Sequence, residues 1–122
     1  MSQHFVFHDV RTTDLDASRR FYTELFGWGV TETPAGPMLG EGDAVWGGFT
    51  PLPEGDSRPP QWIPYVPVDD VDAAAERAVG LGGRIVKPRV DLPPGSVVVV
   101  AEPGGATLAL WQAAAGHGRA LN

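Results

Sequence analysis

The sequence predicts an α+β domain built from two tandem βαβββ modules, and three observations predict it. Glycine (16) and proline (12) together make 28 of the 122 residues, more than helix interiors tolerate, which implies many turns and short strands. Only two segments carry the apolar spacing and the end signals of a helix. Those two segments occupy equivalent places in an internal repeat.

The first helix opens at Asp14, whose carboxylate can cap free N–H groups, shows an apolar side of Leu15, Phe21, Tyr22, Leu25 and Phe26, and stops at Gly27. The second opens at Asp70, runs through Val71, Ala74, Ala75, Ala78 and Leu81, and stops at Gly82-Gly83. A shift of 56 residues lays Asp14 on Asp70, Asp16 on Asp72, Ala17 on Ala73, Leu25 on Leu81 and Gly27 on Gly83 without a gap. The same shift lays the strand around Phe5–Val10 over Gln61–Val66. After each helix, Gly and Pro turns separate three short strands: near Trp28–Glu32, Pro37–Glu41 and Ala44–Thr50, then near Arg84–Lys87, Ser96–Ala101 and Ala106–Trp111. The organisation expected is one domain over 1–122, with modules at 4–50 and 61–112, a proline-stiffened connector at 51–60 and a tail at 113–122.

Hydrophobic residues at 43% and charged residues at 20% are ordinary globular values. Nine basic against fifteen acidic side chains give a net charge of −6, which argues against a nucleic-acid partner. The longest apolar run, Val97–Ala101, is far too short to span a membrane, and the opening residues lack a leader pattern. A soluble, cytoplasmic protein with no membrane partner is expected. With no cysteine there is neither a disulfide framework nor a thiolate zinc site, so a metal would need His, Asp or Glu. The acidic groups Asp14/Asp16 and Asp69/Asp70/Asp72 open helices, where carboxylates cap N–H groups and complement the dipole, so they read as caps.

Asp14-Leu15-Asp16 leading to Phe21-Tyr22 and Leu25-Phe26-Gly27-Trp28, followed by Val68-Asp69-Asp70-Val71-Asp72-Ala73, Leu81-Gly82-Gly83 and Glu102-Pro103-Gly104-Gly105, resemble the vicinal oxygen chelate superfamily of glyoxalases, bleomycin-resistance proteins and extradiol dioxygenases. The resemblance runs over nearly the whole chain. It implies that the sheets of the two modules curl into a cup. It also implies that metal-binding members place His, Glu or Gln on the first and last strand of each module. Carried over one position at a time, those places hold Phe7, Gly47, Ile63 and Ala109, none of which can donate to a metal. A slip of one residue in either direction brings in only His8. No metal and no other cofactor is therefore expected.

Alternation puts His8 on the side of Val6 and Val10, under the helix, where a structural histidine is the plainer reading. The opposite, cup-facing side should carry Phe7, Asp9, Val45, Gly47, Phe49, Ile63, Tyr65, Thr107, Ala109 and Trp111. That lining is apolar with a few polar points, the usual form of a small-molecule site. The function expected is metal-independent binding of a hydrophobic or aromatic small molecule, similar to the bleomycin-resistance branch of the family, by Phe7, Asp9, Gly47, Phe49, Ile63, Tyr65, Thr107, Ala109 and Trp111. The alternative is a glyoxalase-family enzyme using Asp9 as acid or base and Tyr65 as a hydrogen-bond donor, two residues the repeat superposes. Unpaired sheet edges and the family resemblance also lead us to expect a homodimer.

Overall fold

The order of elements follows the repeat: β1 (Phe7–Thr12), α1 (Leu15–Phe26), β2 (Val30–Thr33), β3 (Gly36–Glu41) and β4 (Ala44–Pro51), then β5 (Gln61–Pro67), α2 (Val71–Gly80), β6 (Arg84–Leu92), β7 (Gly95–Ala101) and β8 (Thr107–Ala113). The structure is a computed structural model that describes residues 4–56 and 58–114. They fall into two compact units, one spanning Phe7–Ile63 and the other made of residues 64–114 with residues 4–6. The fold is α+β, and both units show the same topology. In the first, the strand order is β2-β3-β4-β1, with β1 parallel to β4 and the other neighbours antiparallel. In the second it is β5-β8-β7-β6, with β5 parallel to β8.

Both helices start where the capping residues place them. Asp14 and Asp70 have extended backbones, and their carboxylates accept from Ala17 N, and from Asp72 N and Ala73 N, at 3.0 Å in each case. Gly27, at φ 72°, ends α1 in the left-handed conformation that a Cβ disfavours. The second helix stops earlier than the apolar run suggests: α2 ends at Gly80, and Leu81 is its exposed C-cap.

The core of the first unit is Val10, Leu39 and Phe49, with Leu15, Tyr22, Trp28, Val30, Trp46 and Trp62 packed around them. That of the second is Val71, Ala75, Val98, Val100 and Leu110, with Val66, Val68 and Leu108 alongside. Helix α1 departs from the sequence reading here. Its residues Phe21, Leu25 and Phe26 stay 57, 59 and 56% exposed, and the helix has no fully buried residue. Only Leu15 and Tyr22 of the apolar side reach the core.

Strand β6 also differs, since it continues through Pro88 to Leu92. Proline is accommodated because β6 ends its unit's strand order and its pairing with β7 is irregular between Ile85 and Val90, leaving ladder positions that need no N–H. Strand β8 runs to Ala113, one residue past the expected end of the second module, and the remainder of the expected tail from residue 115 lies outside the described residues. Over 52–60 no helix or strand occurs among the described residues, but Asp56 and Arg58 are joined by a side-chain ion pair and by a 2.9 Å bond from Arg58 N to Asp56 Oδ1.

Candidate functional site

Each unit turns one sheet face to its helix and the other away from it, and the second faces carry most of the candidate residues. In the first unit, β1 contributes Phe7, Asp9 and Arg11 to the face opposite α1, and β4 contributes their neighbours Gly48 and Thr50. Asp9 is 5% exposed. Its Oδ2 accepts from Arg11 Nε at 2.6 Å and from Thr50 Oγ1 at 2.7 Å. Gly48 leaves the space this arrangement needs, since a Cβ there would lie 3.0 Å from Asp9 Oδ1 and 3.2 Å from Phe7 Cζ.

Gly47 and Phe49 lie on the other side. They pair with His8 and Val10, and Phe49 belongs to the core under α1 with Leu39 and Val10. The expectation that Gly47 and Phe49 share a face with Phe7 and Asp9 is corrected by a β-bulge. Between Leu39 and Gly40 the β3–β4 register slips, so Trp46 is an extra residue on β4, and a count from the β3–β4 turn falls one position short. The β4 residue beside Asp9 is Gly48. Gly40 permits the bulge: at φ 129° its backbone passes so close to Ala44 that a Cβ would sit 2.3 Å from the Ala44 carbonyl oxygen.

In the second unit, Tyr65 pairs with Ala109, and Ala109 with Val99, while Trp111 pairs with Pro67 and Val97 and Thr107 with Ala101. Tyr65, Thr107, Ala109 and Trp111 thus lie together on the face away from α2. The rings of Tyr65 and Trp111 are 6.2 Å apart and tilted by 42°. Trp111 is 3% exposed, and its Nε1–H has no acceptor among the described residues. The indole lies over Gly95, where a Cβ would approach Cζ2 to 2.7 Å. Its backbone is fixed by Val68 N donating to Trp111 O at 2.7 Å, and the next side chain, Gln112, accepts from Val71 N at 2.8 Å to cap α2. Ile63 is buried at the end of the first unit, and Thr107 is half-buried.

Sequence reasoning missed Arg11 and Thr50, and it noted Gly48 only as room beside Gly47, not as the neighbour of Asp9. A signal for Arg11 was present: residues two apart on a strand share a face, so a carboxylate and a guanidinium at 9 and 11 are neighbours. Gly48 and Thr50 were hidden by the bulge.

Phe7, Ile63 and Ala109 offer hydrocarbon and Gly47 offers no side chain, as does Gly48 when the register is corrected, so these places do not fit a divalent metal. Among the described residues no group of three or more His, Cys, Asp or Glu side chains is arranged to hold one. The described helices include none long and apolar enough to cross a membrane.

Comparison with known proteins adds relatives of two kinds. The chain is 38% identical over 115 residues to a putative glyoxylase, CFP32, of Mycobacterium bovis, covering 86% of this chain and 44% of that protein. It is 29% identical over 131 residues to the anthracycline biosynthesis protein DnrV of Streptomyces peucetius, covering 85% of this chain and 45% of that one. The chain therefore spans under half the length of these curated relatives. Among solved structures, a methylmalonyl-CoA epimerase in complex with methylmalonyl-CoA and NH4+ superposes with a TM-score of 0.64 at 20% identity, over 93% of this chain and 97% of that one. At that identity the likeness speaks for the fold alone. A family model matches residues 2–110, which takes in both βαβββ units, and the chain accordingly belongs to the Glyoxalase/Bleomycin resistance protein/Dioxygenase superfamily.

Proposed function

We propose that this chain binds a planar hydrophobic or aromatic small molecule that carries a hydrogen-bond acceptor, and that it does so without a divalent metal. The observation that carries the reading is the Nε1–H of Trp111, buried and without an acceptor among the described residues, on a face shared with Tyr65, Ala109 and Thr107. A buried donor left unpaired costs about 1–3 kcal/mol, so a ligand carbonyl that reaches it recovers that free energy. The aromatic pair and the small Ala109 give this buried face an apolar lining against which a ring system that reaches the donor packs. The likeness to an anthracycline biosynthesis protein supports a fused aromatic ligand with carbonyl groups.

The test is calorimetric titration with a water-soluble anthraquinone as probe. Saturable binding that survives a chelator and weakens by about 0.5–1.5 kcal/mol in Trp111→Phe is the expected result, since phenylalanine keeps the ring and removes the donor. Absence of binding, or equal affinity in the variant, overturns it.

A second reading, a small-molecule enzyme with Asp9 or Tyr65 in proton transfer, is favoured by the likeness to a putative glyoxylase. It must account for the Asp9 Oδ2 being engaged by both Arg11 and Thr50, contacts that proton transfer through that oxygen would break. Turnover of a dicarbonyl substrate that falls in Asp9→Asn would favour it.

A further inference from the structure

Where α1 gives way to β2, two tryptophans stand at right angles beside a carboxylate that the fold does not use. Trp28 follows the Gly27 stop of α1, and Trp46 is the extra residue at the β4 bulge. Their rings are 4.7 Å apart with planes at 90°. Tyr22 and Phe26 of α1 stack on Trp28 at 5.4 and 4.8 Å, and the Tyr22 hydroxyl accepts from Trp62 Nε1 at 3.0 Å. Trp28 is thus held from the helix side, and both indoles are half-buried. With Gly29, Gly40, Glu41 and Ala44 they line a recess of about 350 Å³, and among the described residues no basic side chain lines it. Glu41 ends β3 and lies across the bare backbone of Gly29, where a Cβ would come within 2.8 Å of Glu41 Cγ and 3.1 Å of Oε2. The Glu41 carboxylate makes no ion pair or hydrogen bond among the described residues.

We propose that this recess binds a small organic cation with a methylated ammonium head, at a site that shares no residue with the Trp111 face. Perpendicular rings in contact form a corner walled by a face of each, and the negative face of an indole attracts a cation seated within about 6 Å of the ring centroid. A primary ammonium is compact and strongly hydrated, and these apolar walls offer its N–H groups nothing in exchange for water. Methyl groups remove those donors, spread the charge and pack against the indoles. Glu41 supplies the opposite charge at the edge, and the net charge of −6 draws cations from longer range. A neutral apolar guest would touch the same walls and leave the carboxylate unanswered. Two aromatic walls and one exposed carboxylate place the dissociation constant on the order of millimolar.

The test is a titration of the isotopically labelled chain with choline chloride to about 50 mM at constant ionic strength, read from the indole N–H signals of its tryptophans. The signals of Trp28 and Trp46, assigned by their loss in Trp28→Phe and Trp46→Phe, should shift saturably while that of Trp111 stays in place. The uncharged analogue of choline, with a quaternary carbon in place of the nitrogen, should bind roughly 2- to 5-fold more weakly or worse, having no charge to offer the rings or Glu41. Glu41→Gln, an exposed change that should leave the thermal midpoint nearly unaltered, should weaken choline roughly 2- to 5-fold. No saturable shift at Trp28 and Trp46, equal affinity for choline and its uncharged analogue, or an unchanged affinity in Glu41→Gln would overturn the proposal. Choline that moved only the Trp111 signal would do the same, by assigning the cation elsewhere. A trimethyllysine peptide that bound much more tightly than choline would assign the recess to a protein chain and overturn it as well.

Discussion

Asp9 and Arg11 show how two residues on one strand can fix each other. Their side chains are each only 7% exposed, and the 2.6 Å contact between them is among buried groups. Truncating one partner of such a pair leaves a buried charge uncompensated, at a cost of about 3–5 kcal/mol. Arg11→Ala is therefore expected to destabilise the fold by that amount, with Asp9→Asn costing less in the Arg11→Ala background than in the native one. Chemical denaturation of the two single variants and the double variant checks the non-additivity, and additive losses would refute the pairing. Because Thr50 also donates to the Asp9 Oδ2, some of the anchoring survives in either variant. Phe7 and Asp9 were read from strand alternation, and the same rule reaches Arg11, which the reading left out, but their β4 neighbours were not legible. Alternation gives parity within a strand, and only the register, here shifted by a bulge at Leu39/Gly40, gives parity between strands.

Among elements, the edge strand β6 of the second unit pairs with β7 along an irregular antiparallel ladder, and exposed ion pairs from Arg89 add to that pairing. Arg89 donates to Asp72 of α2 at 2.6 Å and to Asp91 at 2.8 Å, and Ser96 of β7 donates to the same Asp91 oxygen at 2.6 Å. The Ser96 hydroxyl, with the Arg89 guanidinium second, holds the Asp91 carboxyl below its ordinary value of 3.8. A carboxylate whose folded pKa is lowered favours the native state wherever it is charged, and that contribution is lost as the pH falls through the lowered value. Asp91→Asn should accordingly have a lower thermal midpoint than the native chain at pH 7. The gap should close as the pH is taken from about 4 downward, and a gap that stays constant with pH would assign the effect to packing instead. The same strand marks a limit of sequence reading. Pro88 reads as the end of a strand, and it is the irregular β6–β7 pairing that lets the strand pass through it. For α1 the limit is different in kind: apolar periodicity announces that a face will be covered, and Phe21, Leu25 and Phe26 show that it does not say by what.

The whole molecule repeats one topological unit. That repetition was the most legible feature, because Asp14 and Asp70, each capping a helix 56 residues apart, mark equivalent points in two copies of β-α-β-β-β. Repetition of the backbone does not carry the chemistry with it. The positions where metal-binding members of the superfamily would place imidazoles and carboxylates hold phenylalanine, glycine, isoleucine and alanine, residues that instead fill or permit packing. Phe7, Ile63 and Ala109 are all buried, so the hydrocarbon at these places contributes to stability, and a strongly hydrated divalent ion would have to displace it. Added Zn²⁺, Ni²⁺, Mn²⁺ or Fe²⁺ is therefore expected to leave the thermal midpoint unchanged in a fluorimetric melt. An ion that bound one native site would stabilise the protein by RT ln(1 + [L]/Kd), about 2.7 kcal/mol at a hundredfold excess over Kd. For a domain of this size that corresponds to a rise of roughly 10 °C or more, well outside the scatter of such a melt. A rise of that order with any one of the four ions, reversed by a chelator, would mean that this chain recruits donors other than those the superfamily pattern names.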